Sequence, residues 1–107
     1  MDRVFKPREE RQQATVDLTA LLLTLDERLR EVQLVDLSVQ GCRLRGVIDV
    51  IEPGTAVAIR LPGLSEYVFG KIAWGRGDMV GIELLEPLFE PVYRYLKDKL
   101  FGAQSAA

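Results

Sequence analysis

The feature that most constrains this fold is a series of short runs in which apolar and polar residues alternate. Successive side chains of a strand point to opposite faces, so each run predicts a strand with one buried face. Turn signals such as Pro53-Gly54, Pro62-Gly63 and Arg76-Gly77-Asp78 separate the runs. The predicted strands are 15–23, 29–35, 42–45, 57–61, 68–74 and 80–84.

These six antiparallel strands predict an all-β fold, a closed or nearly closed barrel that hides its strand edges. Trp74 ends the apolar face of the fifth run, so it is expected in the core or at a barrel end. The alternation also predicts which residues of the strands are buried. They are Val16, Leu18, Leu34, Ile59, Ile72, Val80 and Ile82.

The period changes near the end of the chain, which predicts one terminal helix from about Pro87 to Phe101. Its apolar stripe is Leu88, Val92, Tyr95, Leu96 and Leu100, with Gly102 just past the end. An amphipathic helix of this kind packs on its own core, here over an open end or side of the barrel. Contact with a partner helix or a second copy is the alternative use.

The inventory of side chains argues against an enzyme and against a bound metal or cofactor. The chain has no histidine and one cysteine, Cys42, so the commonest general base and a multi-cysteine zinc site are missing. No glycine-rich phosphate loop or serine nucleophile motif occurs. Cys42 lies in a predicted strand, where a small buried residue is expected rather than a reactive thiol.

Charge and hydropathy predict that the protein is cytoplasmic and is not inserted in a membrane. The N-terminus lacks the apolar core of a signal peptide, and a single cysteine suits a reducing compartment. A net charge of −2, without a stripe of basic and aromatic residues, argues against nucleic-acid binding. The expected organisation is a flexible arginine-bearing arm (1–12), one barrel domain with its helix (13–102) and a disordered tail (103–107).

Between the second and third runs stands Asp36-Leu37-Ser38-Val39-Gln40-Gly41. An ordinary turn uses the same residue types, because Asp and Ser close local hydrogen bonds and Gly adopts a positive φ. The segment also fits the Asp/Asn-x-Ser-x-x-Gly pattern of PilZ domains. With the later segments 70–74 and 80–84, which are similar to the closing hairpin of that family, the chain resembles a PilZ domain over about residues 8–100.

This resemblance implies a bacterial receptor for cyclic di-GMP. In the family, two arginines of an arm before the first strand (RxxxR) face the Asp-x-Ser-x-x-Gly turn and clamp the nucleotide. By resemblance, Arg8 and Arg11 pair with ligand, Asp36 accepts from guanine, Ser38 hydrogen-bonds ligand and Gly41 allows close backbone approach. Arginine suits this role because its planar fork matches phosphates and the O6/N7 edge of guanine.

The arginine spacing departs from the family pattern. Arg8 and Arg11 are three apart instead of four, position 12 is Gln, and Glu9 and Glu10 lie between them. Two functions therefore stay open. One is a receptor and adaptor that binds cyclic di-GMP, orders its arm and contacts an unidentified protein partner. The other is a degenerate PilZ-fold interaction module without nucleotide binding, in which both arginines are solvated. Oligomeric state is not predicted.

Overall fold

The computed structural model describes residues 18–106, with side chains described up to Gly102. Its elements are β1 (Thr19–Thr24), β2 (Leu29–Leu37), β3 (Gly41–Arg45), β4 (Ala56–Arg60), β5 (Val68–Arg76), β6 (Met79–Leu84) and α1 (Glu90–Ala106). All strand pairs are antiparallel, and the order β1-β2-β3-β6-β5-β4 closes into a barrel because β1 also pairs with β4. The predicted six-stranded barrel with a terminal helix is confirmed.

The barrel interior is lined by the alternating apolar residues. Leu34, Ile59, Ile72, Val80 and Ile82 are at most 4% exposed, so these predictions are confirmed. Leu18 is only partly buried, and Val16 lies outside the described residues. Other buried residues complete the core from β1, β3 and the loops, among them Ala20, Leu22, Leu44, Val47 and Leu61.

Helix α1 packs on this core, but its predicted face and end need correction. Leu96 and Leu100 are buried and Leu88 and Val92 pack against the core, as the stripe predicted. Tyr95 is 57% exposed, and Tyr93 packs on the core in its place. The helix also continues through Gly102 to Ala106, into residues predicted to be a disordered tail.

Trp74 was predicted to lie in the core or at a barrel end, and it is not buried in the core. The pairing of β5 with β6 shifts between Ile72 and Trp74, which is a β-bulge at Ala73. An extra residue in one strand breaks the alternation of faces, so Trp74 lies on the outside of the barrel with 40% of its surface exposed. Its indole covers Gly81 of β6, where an added Cβ would lie 2.3 Å from the indole Nε1.

An ion pair closes the barrel end where β1 turns into β2. Arg30 donates from Nε to Asp49 Oδ1 at 2.9 Å and from Nη2 to Oδ2 at 2.6 Å. The Arg30 side chain is only 11% exposed, and its Nη1 also donates to Thr24 Oγ1 at 3.0 Å. These bonds tie the connection between β3 and β4 to the β1–β2 hairpin, and hydrogen bonding by Arg30 lowers the pKa of Asp49 to about 2.

Asp49→Asn is expected to destabilise the protein at neutral pH and to lose that effect in acid. Because the folded-state pKa is depressed, the stabilising ion pair is fully present above the unfolded-state pKa, about 3.9. It is lost as the pH falls toward 2, when Asp49 takes up a proton. Urea melts of both proteins at pH 6 and near pH 2 measure this; an equal difference in stability at the two pH values would contradict it.

Candidate functional site

The Asp-x-Ser-x-x-Gly segment forms the tight connection between β2 and β3, and its two ends are part of these strands. Asp36 belongs to β2 and Gly41 to β3, so only residues 38–40 lie between the strands. Ser38 N donates to Gly41 O at 2.8 Å, and the Ser38 hydroxyl lies 3.3 Å from the same carbonyl oxygen. Gln40 N donates to the Ser38 hydroxyl at 3.3 Å. Ser38 therefore closes local hydrogen bonds, as an ordinary turn serine does.

Asp36 does not organise this turn. A register shift between Leu34 and Asp36 precedes it in β2, and Asp36 stands directly opposite Arg43 of β3. Arg43 donates to Asp36 Oδ2 from Nε at 2.9 Å and also from Nη2. This hydrogen bonding raises the pKa of Arg43. Both side chains are about half exposed, and exposed pairs of this kind contribute about 0–1 kcal/mol to stability.

Gly41 is required by the barrel itself. Its φ is not positive, so the positive φ expected of an ordinary turn glycine is wrong here. A Cβ built at Gly41 would lie 2.1 Å from the carbonyl oxygen of Ile82 in β6. Gly41 therefore permits the close approach of the β3 backbone to the β6 backbone. This role of Gly41 does not depend on a ligand.

Gly41→Ala is expected to destabilise the fold by about 1–3 kcal/mol, because β3 and β6 must separate to admit the methyl group. Thermal or urea unfolding measures the loss. Gly63→Ala is a poor comparison because Gly63 has a φ of 84°, so the matched control is Gly75→Ala, where the nearest atom lies 3.8 Å away. Equal stability of the two variants would show that the clash at Gly41 is relieved without cost.

Asp36, Ser38 and Gly41 line one open depression of about 540 Å³ on the outside of the barrel. It lies over β3, β5 and β6, within the usual size range of ligand pockets. Arg43, Trp74 and Glu83 complete its polar and aromatic lining. Sequence reasoning missed Trp74 and Arg43: the bulge at Ala73 is not visible in the alternation, and Arg43 appeared only as a strand residue.

The described part of the chain begins at the same end of the barrel. Leu34 N donates to Leu18 O at 2.8 Å, so Leu18, the first described residue, lies beside Leu34 of β2. Leu34 precedes Asp36 by two residues. Since β1 and β2 are antiparallel, the start of β1 lies at the end of β2 that leads into the turn. Arg8 and Arg11 themselves lie outside the described residues.

The other chemistry of the described residues is limited. They contain no group of three or more acidic, cysteine or histidine side chains that could hold a metal ion. Within the same part of the chain, no helix combines the length and apolarity needed to cross a bilayer. Cys42 is buried, as predicted, and burial raises the pKa of its thiol to about 12.

A comparison with models of protein families found a match over most of the chain. The model described as PilZ domain matches residues 6–102. The chain belongs to the PilZ family. PilZ domains are in general non-catalytic domains that bind cyclic di-GMP. The match shows the family of this chain and does not by itself show its particular activity. A search of curated proteins gave no match.

Proposed function

We propose that this PilZ protein is a cyclic di-GMP receptor that uses the depression beside Trp74. The observation that carries the proposal is the convergence of Asp36, Ser38, Gly41 and Trp74 on one open depression. Leu18, the first described residue, lies at this end of the barrel, and the predicted arm with Arg8 and Arg11 precedes it in the sequence. A bound nucleotide would hold this arm against the barrel and alter the surface that a protein partner contacts.

The lining suits a guanine base. The half-exposed Asp36 carboxylate is an acceptor for the N–H groups of guanine, and the exposed Trp74 indole offers a flat face for stacking. Stacking of a base on an aromatic side chain contributes about 1–3 kcal/mol. Because the Asp36–Arg43 pair is exposed and weak, Asp36 can exchange Arg43 for guanine, which frees the Arg43 guanidinium for a phosphate.

The charges of the depression make the arm arginines necessary. Arg43 is its one cationic residue among the described side chains, against Asp36 and Glu83. Lys71 lies 3.9 Å from Glu83 and offsets part of that charge. Two phosphates of an anionic ligand therefore need more positive charge than the barrel supplies, and Arg8 and Arg11 are the arginines that the family motif assigns to them.

A PilZ-fold interaction module without nucleotide binding is the second candidate. The pairing of Asp36 with Arg43 favours it, because the carboxylate assigned to guanine already has a cationic partner. The hydroxyl of Ser38 is likewise engaged within the turn. In this alternative the three motif residues only build the barrel.

Titration with cyclic di-GMP decides between the two. Trp74 is the only tryptophan of the chain, so its fluorescence reports directly on the depression. We expect heat of binding in calorimetry and a change of Trp74 emission with cyclic di-GMP, and neither with cyclic di-AMP or GTP. Trp74→Phe should keep the heat signal and abolish the tryptophan emission. Absence of both signals for the wild type at high micromolar ligand would reject the receptor and leave the interaction module.

A further inference from the structure

An apolar groove crosses the outside of the barrel beside the start of α1. Three large side chains stand along it: Phe69, Leu85 and Phe89 are 62%, 78% and 72% exposed. Between them, Leu88 and Val92 are partly buried and pack on the core. The hollow that these residues line has a volume of about 560 Å³. We call it the Phe69–Phe89 groove.

The groove continues into a second hollow of about 540 Å³, which Phe69 and Leu85 also line. Leu85 N donates to Phe69 O at 2.8 Å, so the backbone holds these two residues side by side. The second hollow extends to Leu25 of the β1–β2 turn, which is 83% exposed. A run of exposed apolar side chains across two adjoining hollows is the usual mark of an interaction surface.

The charges along the groove indicate which charge a partner segment should carry. Glu66 and Glu86 line the first hollow. Among the described residues neither carboxylate makes an ion pair, whereas Glu83 and Glu90 are paired with Lys71 and Arg94. Two unpaired carboxylates beside exposed apolar side chains complement a segment in which apolar residues are flanked by Lys or Arg.

The topology of the sheet indicates how the partner segment can bind. Because the six described strands close into a barrel, they leave no strand edge to which an extended peptide could add. Recognition by side chains in a groove remains, and amphipathic helices bind in this way, through apolar residues spaced by one turn. We propose that the Phe69–Phe89 groove binds a basic amphipathic helix of a partner protein. The groove meets the nucleotide depression at Pro87, yet this binding does not require the nucleotide.

The test is a titration of the full ¹⁵N-labelled chain with a synthetic helical peptide of Leu and Lys, about 14 residues long, with all Leu on one face. The matched peptide carries Glu in place of Lys. We expect the Leu/Lys peptide to shift amide signals of residues 64–69 and 85–92, and the acidic peptide to bind at least about ten-fold more weakly.

Variants locate the binding. Leu85→Ser and the double variant Glu66→Lys/Glu86→Lys should each weaken binding of the Leu/Lys peptide by about ten-fold or more. All three residues lie on the surface, so folding should be unaffected. The matched controls are Ile48→Ser and Glu52→Lys, which alter exposed residues outside the groove and should bind as the wild type does.

Several outcomes would overturn the proposal: equal binding of both peptides, shifts confined to other surfaces, or equal losses in the control variants. A wild-type dimer in sedimentation that Leu85→Ser dissociates would make the groove a contact between copies. Tighter peptide binding by Phe5→Ser would assign the groove to the chain's own N-terminal segment. Peptide binding without any cyclic di-GMP binding would keep this proposal and reject only the receptor.

Discussion

Ile82→Ala is expected to lower the free energy of unfolding by about 2–5 kcal/mol, the range for large-to-small changes in a packed core. Ile82 is 4% exposed and lies at the centre of β6, opposite Cys42 of β3 and Ile72 of β5. The two flanking strands hold the backbone on both sides. The barrel can therefore collapse little around the lost methyl groups, and a cavity adds to the lost burial.

Urea denaturation measures this loss as a lower midpoint with an unchanged m-value. Ile48→Ala is the matched control, because Ile48 is 89% exposed in the connection after β3 and its truncation should change stability by no more than about 0.5 kcal/mol. A loss for Ile82→Ala below about 1 kcal/mol would contradict the packing of this strand.

Arg8→Ala and Arg11→Ala are each expected to weaken cyclic di-GMP binding by about ten-fold to more than one hundred-fold. A charge-assisted hydrogen bond contributes about 1.5–3 kcal/mol, and 1.4 kcal/mol corresponds to about ten-fold in affinity. The effect should be large because Arg43 is the one cationic residue that the described barrel contributes to the depression, whereas the ligand carries two phosphates. Thermal stability should change little, and binding should weaken as salt screens the phosphate charges.

Arg3→Ala is the control in the same segment, since the family motif assigns Arg3 no contact, and it should bind as the wild type does. Asp36→Ala should weaken binding while costing at most about 1 kcal/mol of stability, because its pair with Arg43 is exposed. Calorimetry measures the affinities and a thermal melt the stability. If both Arg8→Ala and Arg11→Ala bind cyclic di-GMP with wild-type affinity, the proposed contact of these two arginines with the ligand is wrong.

Most of the barrel could be predicted because its information is local. Leu34, Ile59 and Ile82 were predicted as core residues from a period of two, which the strand backbone imposes on any sequence. The terminal helix followed in the same way from its change of period. The turn between β2 and β3 was predicted from Asp36, Ser38 and Gly41, because these residue types are common in turns.

The contacts across strands could not be predicted in this way. Alternation predicted Trp74 in the core or at a barrel end, and a single extra residue at Ala73 turns its side chain outward onto the candidate site. The roles of Gly41 and Asp36 likewise depend on neighbours distant in sequence, the Ile82 carbonyl and the Arg43 guanidinium.

The sequence by itself therefore determined the number of strands and their positions along the chain, the core faces away from bulges and the family motif. Only the tertiary structure decided which side chains meet at the depression and along the Phe69–Phe89 groove. The physical reason is that periodicity is a property of one strand, whereas a bulge, a register and a cross-strand pair arise only when two strands bond to each other.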